Sequence, residues 1–283
     1  MSKDREFEFN DSDFQRIRKL VKELTGINLS EAKRDMVYSR ISRRIRDVGV
    51  ANFAEYCDLV SQPESDEIGN FVNAITTNLT SFFRESHHFE FLAKTVVPYL
   101  LEERRYDRKL RFWCAGCSTG EEPYTLAMTL REALPTDLNW DVKILATDLD
   151  TNVLATAKQG YYNLERLNGV SNSRLKRWFL KGRGENNGQV RVHPDLQELI
   201  TFKQLNLMGE WPMKGQFDII FCRNVVIYFD KPTQSVLFDR YANIMKDDGY
   251  LFVGHSESLF KVTKRFDLIG NTTYRKKEAA LHE

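Results

Sequence analysis

A glycine-containing loop in the middle of the 283-residue chain restricts its fold more than any other segment. The apolar run at residues 110–115 has the length of a buried strand, and it leads directly into this loop, AGCSTG at residues 115–120. Gly116 and Gly120 allow a sharp turn and a close approach to a ligand, and a helix starting near Pro123 points its free N–H groups back at the loop. The sequence therefore predicts a nucleotide-type crevice at the carboxyl end of a first strand.

Strand-like and helix-like segments alternate after this loop. We predict further strands at residues 142–147, 217–222 and 249–254, and helices between them at residues 124–134 and 234–245. Such alternation is typical of a mostly parallel sheet with helices on both faces.

Two segments depart from that alternation. Residues 266–277 predict a hairpin that turns at Gly270-Asn271. Residues 161–201 interrupt the pattern, and within them RWFLKGRGENNGQVRVHP predicts two short strands joined by a turn rich in Gly and Asn. We interpret this interruption as a small inserted β subdomain.

The first hundred residues are predicted to be helical, because their apolar residues recur at helical spacing. Gly26 and Gly49 end the first two segments, and the predicted helices lie near residues 14–24, 36–48, 53–60, 67–76 and 85–105. The predicted fold is therefore α/β with three parts. They are an all-α domain at residues 1–75, a linker with a lead-in helix at 76–109, and a Rossmann-like sheet with the insertion at 110–283.

Acidic residues around the loop indicate which ligand the crevice takes. The predicted helix opens with Glu121-Glu122, which would repel a pyrophosphate, and the dinucleotide pattern G-x-G-x-x-G is absent. Two carboxylates suit a ligand that has a cationic amine and no phosphate, as S-adenosylmethionine does. Asp148 follows the second strand, where an acidic residue commonly accepts hydrogen bonds from a ribose. Asp150 is better explained as the cap of the next helix.

Composition excludes several classes of protein. The net charge of +1 argues against a nucleic-acid partner, and no apolar run approaches the roughly 20 residues of a membrane-spanning helix. The amino terminus is charged and lacks the apolar core of a signal peptide. Cys114 and Cys117 form a lone C-x-x-C without nearby His ligands, so we expect no metal. We expect a soluble, cytoplasmic protein that does not insert into the membrane.

One predicted helix is strongly basic. Residues 33–46 hold six cationic side chains and one acidic side chain, a net charge of +5. Such a face can simply be solvated, or it can steer an acidic partner, since clustered positive charge raises encounter rates. If it docks an acidic partner, the residues that form the docking surface are Arg40, Arg43, Arg44 and Arg46.

The same glycine loop also fits a different enzyme class. Residues 116–120 match G-x-S-x-G, the nucleophile elbow of α/β-hydrolases, and a triad can be drafted from Ser118, Asp218 and His255. In that fold several strands precede the elbow, whereas only predicted helices precede residue 110 here. The order of elements therefore disfavours a hydrolase.

Four strings, taken in order, resemble the chemotaxis receptor methyltransferase (CheR) family. They are TTNLTSFFR at residues 76–84, STGEEPY at 118–124, FCRNVVIYF at 221–229 and GHSE at 254–257. The likeness covers nearly the whole chain. It implies methyl transfer from S-adenosylmethionine to glutamate carboxylates on the Glu/Gln-rich helices of chemotaxis receptors, with S-adenosylhomocysteine as the second product.

The resemblance also implies roles for individual residues. Arg84 is expected to orient the substrate carboxylate, and Tyr228 to lie beside the transferring methyl group. The positions expected to bind the cofactor are Asn78, Thr80, Arg84, Glu122, Asp148, Asn206, Leu207, Arg223 and Asn224. A glutamate is already ionised at neutral pH, so the reaction needs in-line placement and desolvation rather than a general base.

Alternative functions differ in substrate or in chemistry. Some relatives of this family recognise a receptor's carboxy-terminal tail through the β insertion, but residues 182–185 match that region only loosely. A methyltransferase acting on nucleic acid or on another protein is the main alternative. Residues 224–228 lack the Asp/Asn-Pro-Pro-aromatic string with which base-methylating enzymes grip an extruded base. A cofactor-sensing module without turnover is the non-enzymatic alternative.

Overall fold

The computed structural model describes residues 5–135 and 139–277. Its amino-terminal part is helical, as predicted. Its helices are α1 (Asp11–Thr25), α2 (Arg34–Val48), α3 (Phe53–Val60) and α4 (Glu67–Ile75). A capping box between Asn10 and Asp13 begins α1, and Gly26 ends it in the left-handed conformation with φ 77°. The apolar faces of these helices form one core around the buried side chains of Phe14, Ile41 and Phe71.

A broken helical segment leads from this domain to the sheet. It consists of α5 (His87–Phe91), a π-helical turn at Leu92–Val96 and α6 (Val97–Glu103). The π turn replaces the continuous helix that the sequence predicted at residues 85–105, and Leu92, Val96, Val97 and Leu100 still bury their side chains.

The main sheet has seven strands in the order β6-β2-β1-β7-β8-β10-β9. The strands are β1 (Lys109–Ala115), β2 (Asp141–Asp148), β6 (Ile200–Gln204), β7 (Phe217–Cys222), β8 (Met245–Val253), β9 (Phe266–Gly270) and β10 (Thr273–Lys276). The first five in spatial order are parallel, and β9 and β10 form the predicted antiparallel hairpin. Sequence patterns did not predict β6, which begins inside the segment assigned to the insertion.

Side chains alternate between two cores because successive residues of a strand face opposite sides of the sheet. Phe112 and Cys114 of β1 contribute to one core, whereas Trp113 and Ala115 contribute to the other. The helices that cover the sheet are α7 (Glu121–Ala133), α8 (Thr151–Gln159) and α11 (Lys231–Ile244). This three-layer arrangement confirms the predicted fold class.

The insertion forms a second sheet with the strand order β3-β5-β4. Its elements are β3 (Tyr161–Asn163), α9 (Asn172–Trp178), β4 (Phe179–Lys181), β5 (Gln189–Val192) and α10 (Pro194–Gln197). The two strands predicted around the Gly- and Asn-rich turn are β4 and β5, which pair antiparallel. In the part of the chain that the structure describes, no helix is long and apolar enough to cross a membrane.

Two arginines of the basic helix α2 are held inside the amino-terminal domain. Arg44 donates two hydrogen bonds to the Glu67 carboxylate, from Nε at 2.8 Å and Nη2 at 2.9 Å, and Tyr56 donates a third at 2.7 Å. Arg40 donates to the backbone oxygens of Ala74, Ile75 and Thr76 at the end of α4. These two side chains therefore stabilise the helix packing, whatever else they do.

We expect Arg44→Ala to lower the free energy of unfolding by about 3 kcal/mol, because it leaves the buried Glu67 carboxylate without its cationic partner. Arg43 lies on the same helix but is exposed, so Arg43→Ala should change stability by less than about 0.5 kcal/mol. Urea unfolding of both variants measures the difference. Equal stability of the two would show that the Arg44–Glu67 pair contributes nothing to the fold.

Candidate active site

A cavity of about 590 Å³ lies where the parallel strands end. Its volume is within the roughly 300–1,000 Å³ that small-molecule sites occupy. Its wall combines the ends of β1, β2, β6 and β7 with the linker at residues 75–80 and the segment after α1. The predicted cofactor positions that line it are Asn78, Thr80, Arg84, Glu122, Asp148, Asn206, Leu207, Arg223 and Asn224, and Tyr228 lines it too.

The loop after β1 turns sharply at its two glycines, as predicted. Gly116, however, makes its close approach to another loop of the protein and not to a ligand. Gly116 and Gly120 have φ values of 96° and 99°, which side chains rarely tolerate. A Cβ on Gly116 would lie 2.4 Å from Cγ2 of Val225. Gly116 therefore permits close packing of the loops that follow β1 and β7.

Asp148, at the end of β2, holds this loop against the strand. Its Oδ2 accepts from the backbone N–H of Ser118 at 2.7 Å, and its Oδ1 accepts from that of Asp150 at 3.0 Å. The Ser118 hydroxyl donates to the backbone oxygen of Asn78 at 2.8 Å. These bonds fix the Asp148 carboxylate on the cavity wall, where carboxylate lone pairs are available to ribose hydroxyls.

Asp150 instead binds the linker and caps a helix, as expected. Its Oδ1 accepts from the backbone N–H groups of Asn152 and Val153 at the start of α8. Its Oδ2 accepts from the Thr76 hydroxyl at 2.6 Å and from the Asn78 side-chain amide at 2.7 Å. Asn78 therefore lines the cavity, but its side-chain amide nitrogen is already hydrogen-bonded to Asp150.

The two glutamates that open α7 point to different places. Glu122 lines the cavity and accepts a hydrogen bond from Nε of Arg223 at 2.7 Å. Glu121 is fully buried on the other side, where it pairs with Arg166 of the insertion at 2.5 Å and accepts from the Thr119 hydroxyl. The expectation that both carboxylates face the ligand was therefore wrong for Glu121.

Arg223 and its partners form a buried polar cluster behind the cavity. Its Nη1 donates to Nδ1 of His88 at 3.1 Å, and Nε2 of His88 donates to the Asn271 backbone oxygen at 2.7 Å. Burial and the Arg223 charge lower the pKa of His88 to about 4, so this imidazole is neutral at pH 7. Oε2 of Glu85 lies 3.9 Å from Nη1 of Arg223 and has no hydrogen-bond donor among the described residues.

Glu257 shapes the loop that carries Asn224 and Tyr228. Its buried carboxylate accepts from the backbone N–H groups of Asn224 at 2.8 Å, Val226 at 2.8 Å and Gly254 at 2.5 Å. These bonds hold Asn224 at a φ of 58°. Sequence patterns predicted no role for Glu257, although it lies in the GHSE string that carried the resemblance.

Arg84 lies on the linker side of the cavity with most of its donors available. Its Nη1 donates to the Leu79 backbone oxygen at 3.0 Å, and among residues 5–135 and 139–277 its guanidinium has no carboxylate partner. An arginine with free donors in a cavity is suited to bind an anion. On the opposing loop, the backbone oxygen of Tyr228 accepts from the Asn28 N–H at 2.8 Å.

Asn206 and Leu207 line the cavity after β6, but the Asn206 side chain also has a structural partner. Its Nδ2 donates to the Leu24 backbone oxygen at 2.8 Å, which ties the sheet to the end of α1. The predicted docking arginines lie away from this cavity. Arg43 and Arg46 are exposed, and Arg46 pairs with Glu6 at 3.3 Å.

The hydrolase alternative finds no support in the contacts of its drafted triad. Asp218 is fully buried and pairs with Arg104 and Lys246, each at 2.9 Å. His255 contacts Glu85 through Nδ1 at 3.0 Å. Neither side chain bonds to the Ser118 hydroxyl, which donates to the linker backbone instead.

Comparison with known families identifies the class of protein that this fold and cavity define. Residues 78–275 match the family described as "CheR methyltransferase, SAM binding domain", and residues 12–76 match "CheR methyltransferase, all-alpha domain". The protein is therefore an S-adenosylmethionine-dependent methyltransferase. The chain belongs to the CheR methyltransferase family, which confirms the resemblance seen in its motifs.

Curated relatives support this assignment over nearly their whole length. A "Probable chemotaxis protein methyltransferase" from Rhizobium etli is 45% identical over 88% of this chain and 94% of its own. "Chemotaxis protein methyltransferase 2" from Pseudomonas aeruginosa is 46% identical over 95% of this chain and 94% of its own. The "Chemotaxis protein methyltransferase" of Escherichia coli K12 is 44% identical over 94% and 91%, respectively.

The cavity fits the charge of S-adenosylmethionine. Burial raises the pKa of Glu122 and of Asp148, and a cationic ligand would favour their ionised forms. That Glu122 meets the amino group and Asp148 the ribose stays a prediction. Leu207 adds an apolar wall. The predicted cofactor is thereby consistent with the residues that form the cavity.

Acidification should reduce the stability that His88 contributes. The folded pKa of His88 lies near 4, whereas an unfolded histidine has a pKa near 6.5, so between these values only the unfolded state gains the proton. The stability advantage of the wild type over His88→Gln should shrink by about 1.6 kcal/mol from pH 6.5 to pH 5, since the slope rises from about half of 1.36 kcal/mol per pH unit at pH 6.5 toward the full value at lower pH.

Denaturant unfolding across this pH range measures the difference between the two proteins. His87→Gln is the matched control, because the neighbouring His87 is exposed. This substitution should leave the pH dependence of stability unchanged. A pH-independent difference between wild type and His88→Gln would contradict the neutral, buried imidazole. Burial also raises the pKa of Glu257, so the contribution of Glu257 to stability increases as the pH falls. This contribution is common to the wild type and His88→Gln, and it cancels when their free energies of unfolding are subtracted.

Proposed function

We propose that this methyltransferase esterifies glutamate side chains of chemotaxis receptors. The observation that carries the proposal is Arg84, a cavity-lining guanidinium with free donors beside the residues assigned to the cofactor. The relatives named as chemotaxis protein methyltransferases support the choice of substrate. Because the methylated receptor helices are cytoplasmic in this proposal, we place the reaction in the cytoplasm.

In this mechanism the protein supplies placement and a dry environment. When bound, the cofactor supplies a methyl group on a positively charged sulfur, which a carboxylate oxygen can accept to give a methyl ester. Arg84 binds and orients the glutamate carboxylate through its free donors, and Tyr228 lines the same cavity. No proton has to move, since glutamate is ionised at neutral pH.

Receptor recruitment is assigned to the exposed part of the basic helix. Arg43 and Arg46 are exposed, whereas Arg40 and Arg44 are engaged with α4. We therefore narrow the docking surface to Arg43 and Arg46, which attract the acidic receptor helices over a distance of about one Debye length, roughly 8–10 Å.

A second recruitment route is available at the insertion. The strands β3 and β4 are both edge strands of its small sheet, and they expose Tyr161 and Leu180. An extended receptor tail can add to such an edge through main-chain hydrogen bonds. We include this tether in the proposal as an addition to docking on α2.

The first prediction from this proposal concerns the product. With methyl-labelled S-adenosylmethionine and receptor-containing membranes, the wild type should label the receptor, and alkali should release the label as volatile methanol. Arg84→Ala should lower kcat/KM by roughly 10- to 100-fold, the cost of losing a charged hydrogen bond. Arg84→Lys should recover part of the loss because it keeps the charge.

Arg105→Ala is the control, since Arg105 is exposed and lies outside the cavity. Label that resists alkali would exclude a carboxyl ester. Normal turnover by Arg84→Ala would remove Arg84 from the mechanism. Cofactor binding without any labelling would instead favour a different substrate or a sensing module.

The second prediction concerns docking. The double variant Arg43→Glu/Arg46→Glu should methylate receptors about tenfold more slowly at low salt, and the difference should shrink at high salt because ions screen exposed charges. Its affinity for the cofactor should not change. Lys264→Glu/Arg265→Glu is the matched control, because it makes the same charge change at exposed residues away from α2. Equal rates for both double variants would refute docking at Arg43 and Arg46.

A further inference from the structure

Glu85 lies just before α5 and places its carboxylate in the buried polar cluster around Arg223. Only 9% of its side chain is exposed. Its Oε1 accepts from Nδ1 of His255 at 3.0 Å and from the His255 backbone N–H at 3.3 Å. Its Oε2 has no hydrogen-bond donor among the described residues and lies 3.9 Å from Nη1 of Arg223. One carboxylate oxygen is therefore hydrogen-bonded, whereas the other is near the guanidinium without a bond to it.

The backbone that carries this carboxylate is strained. Glu85 has a φ of 54°, in the left-handed region that residues other than glycine rarely adopt. Its backbone oxygen accepts from the His88 N–H at 3.0 Å, which joins Glu85 to the first turn of α5. Strain of this kind persists only where the surrounding structure fixes it, and it is concentrated at functional sites. The conformation of Glu85 therefore indicates a role beyond starting a helix.

The charges of the cluster do not balance. Arg223 supplies one positive charge, and His88 is neutral at pH 7. Burial acts to raise the pKa of Glu85, but the hydrogen bond from His255 and the charge of Arg223 outweigh burial and lower this pKa, so the carboxylate is ionised. When Glu122 is ionised as well, the net charge of the cluster is −1. A buried net charge is costly unless an opposite charge lies beside it, so this cluster favours a cation at its edge.

The effect of Glu85 reaches the cavity through its neighbours. Arg223 and Glu122 line the cavity wall, and Glu85 lies behind them. Burial raises the pKa of Glu122, Arg223 opposes that rise, and the charge of Glu85 adds to it. The two carboxylates thus act on the same guanidinium. An arginine that is shared in this way neutralises Glu122 less completely than one that Glu122 holds alone.

We propose that Glu85 is a positioning residue for the cofactor: by sharing Arg223, it leaves Glu122 with the negative charge that binds a ligand's ammonium group. This role rests on the prediction that Glu122 meets the amino group of S-adenosylmethionine. It does not depend on which substrate receives the methyl group.

The test compares two ligands that differ only at the amino group. They are S-adenosylhomocysteine and its deaminated analogue, in which hydrogen replaces that group. We define amino-group selectivity as the dissociation constant of the analogue divided by that of S-adenosylhomocysteine. Glu85→Gln keeps the size of the side chain and removes its charge, and it should lower this selectivity about tenfold, because one nearby charge has an effect of this size in a partly buried site. Calorimetry with the full chain measures both constants.

Glu85→Asp keeps the charge and should recover part of the lost selectivity. Glu90→Gln is the matched control, because it removes the same charge from an exposed position on α5, and its selectivity should equal that of the wild type. Unchanged selectivity in Glu85→Gln would overturn the proposal. Equal weakening of both ligands would also overturn it, since Glu85 would then only support the fold.

Glu122→Gln separates this proposal from the prediction on which it rests. This variant should lose at least as much amino-group selectivity as Glu85→Gln, because it removes the carboxylate that meets the ammonium group. If Glu122→Gln lost selectivity and Glu85→Gln did not, only the role of Glu85 would be wrong. If Glu122→Gln kept the wild-type selectivity, the prediction for Glu122 would be wrong and the role of Glu85 with it.

Discussion

The buried guanidinium of Arg223 determines how the elements around the active site meet. Only 6% of this residue is exposed, and a buried cation without partners would destabilise the fold by several kcal/mol. Its hydrogen bonds to Glu122 and His88 therefore fix the end of β7, the first turn of α7 and the lead-in helix α5 relative to one another. His88 extends the same constraint to the turn of the carboxy-terminal hairpin through the Asn271 oxygen. The polar cluster thus supports the cavity from behind, while leaving Glu122 at its wall.

The cavity is complete only because the amino-terminal domain closes it. The contacts that do so involve the end of α1 and the residues after it. Asn28 donates to the Tyr228 oxygen, Asn206 donates to the Leu24 oxygen, and Lys22 pairs with Asp230 at 2.6 Å. Two of the three bonds use backbone atoms, so they depend on the local fold and not on particular side chains of α1. The amino-terminal domain therefore forms part of the cavity wall as well as carrying α2.

Sequence patterns predicted most of the fold, because α1–α4 and the central strands have clear apolar periodicity. They missed β6, whose sequence ITFKQ alternates with polar residues at the edge of the sheet and lacks a continuous apolar run. The motif-derived site residues do surround one cavity, although their roles toward the cofactor stay predictions. The pattern of charges on α2 could not show that Arg40 and Arg44 have partners 23–36 residues away. Sequence patterns gave no role for Glu257 because its partners are backbone N–H groups, two of them more than 30 residues away in the chain, and such partners carry no sequence signal.

In the proposed function, charges at two places on the protein act over different distances. Exposed charges such as Arg43 attract an acidic partner across several ångströms of water but gain little at contact, because solvent screens them. Arg84 lies in the cavity with free donors, and a guanidinium shielded from water binds a carboxylate more strongly at contact. A surface with exposed charge alone would attract many acidic proteins without orienting any of them. The proposed function therefore separates encounter on α2 from orientation at Arg84.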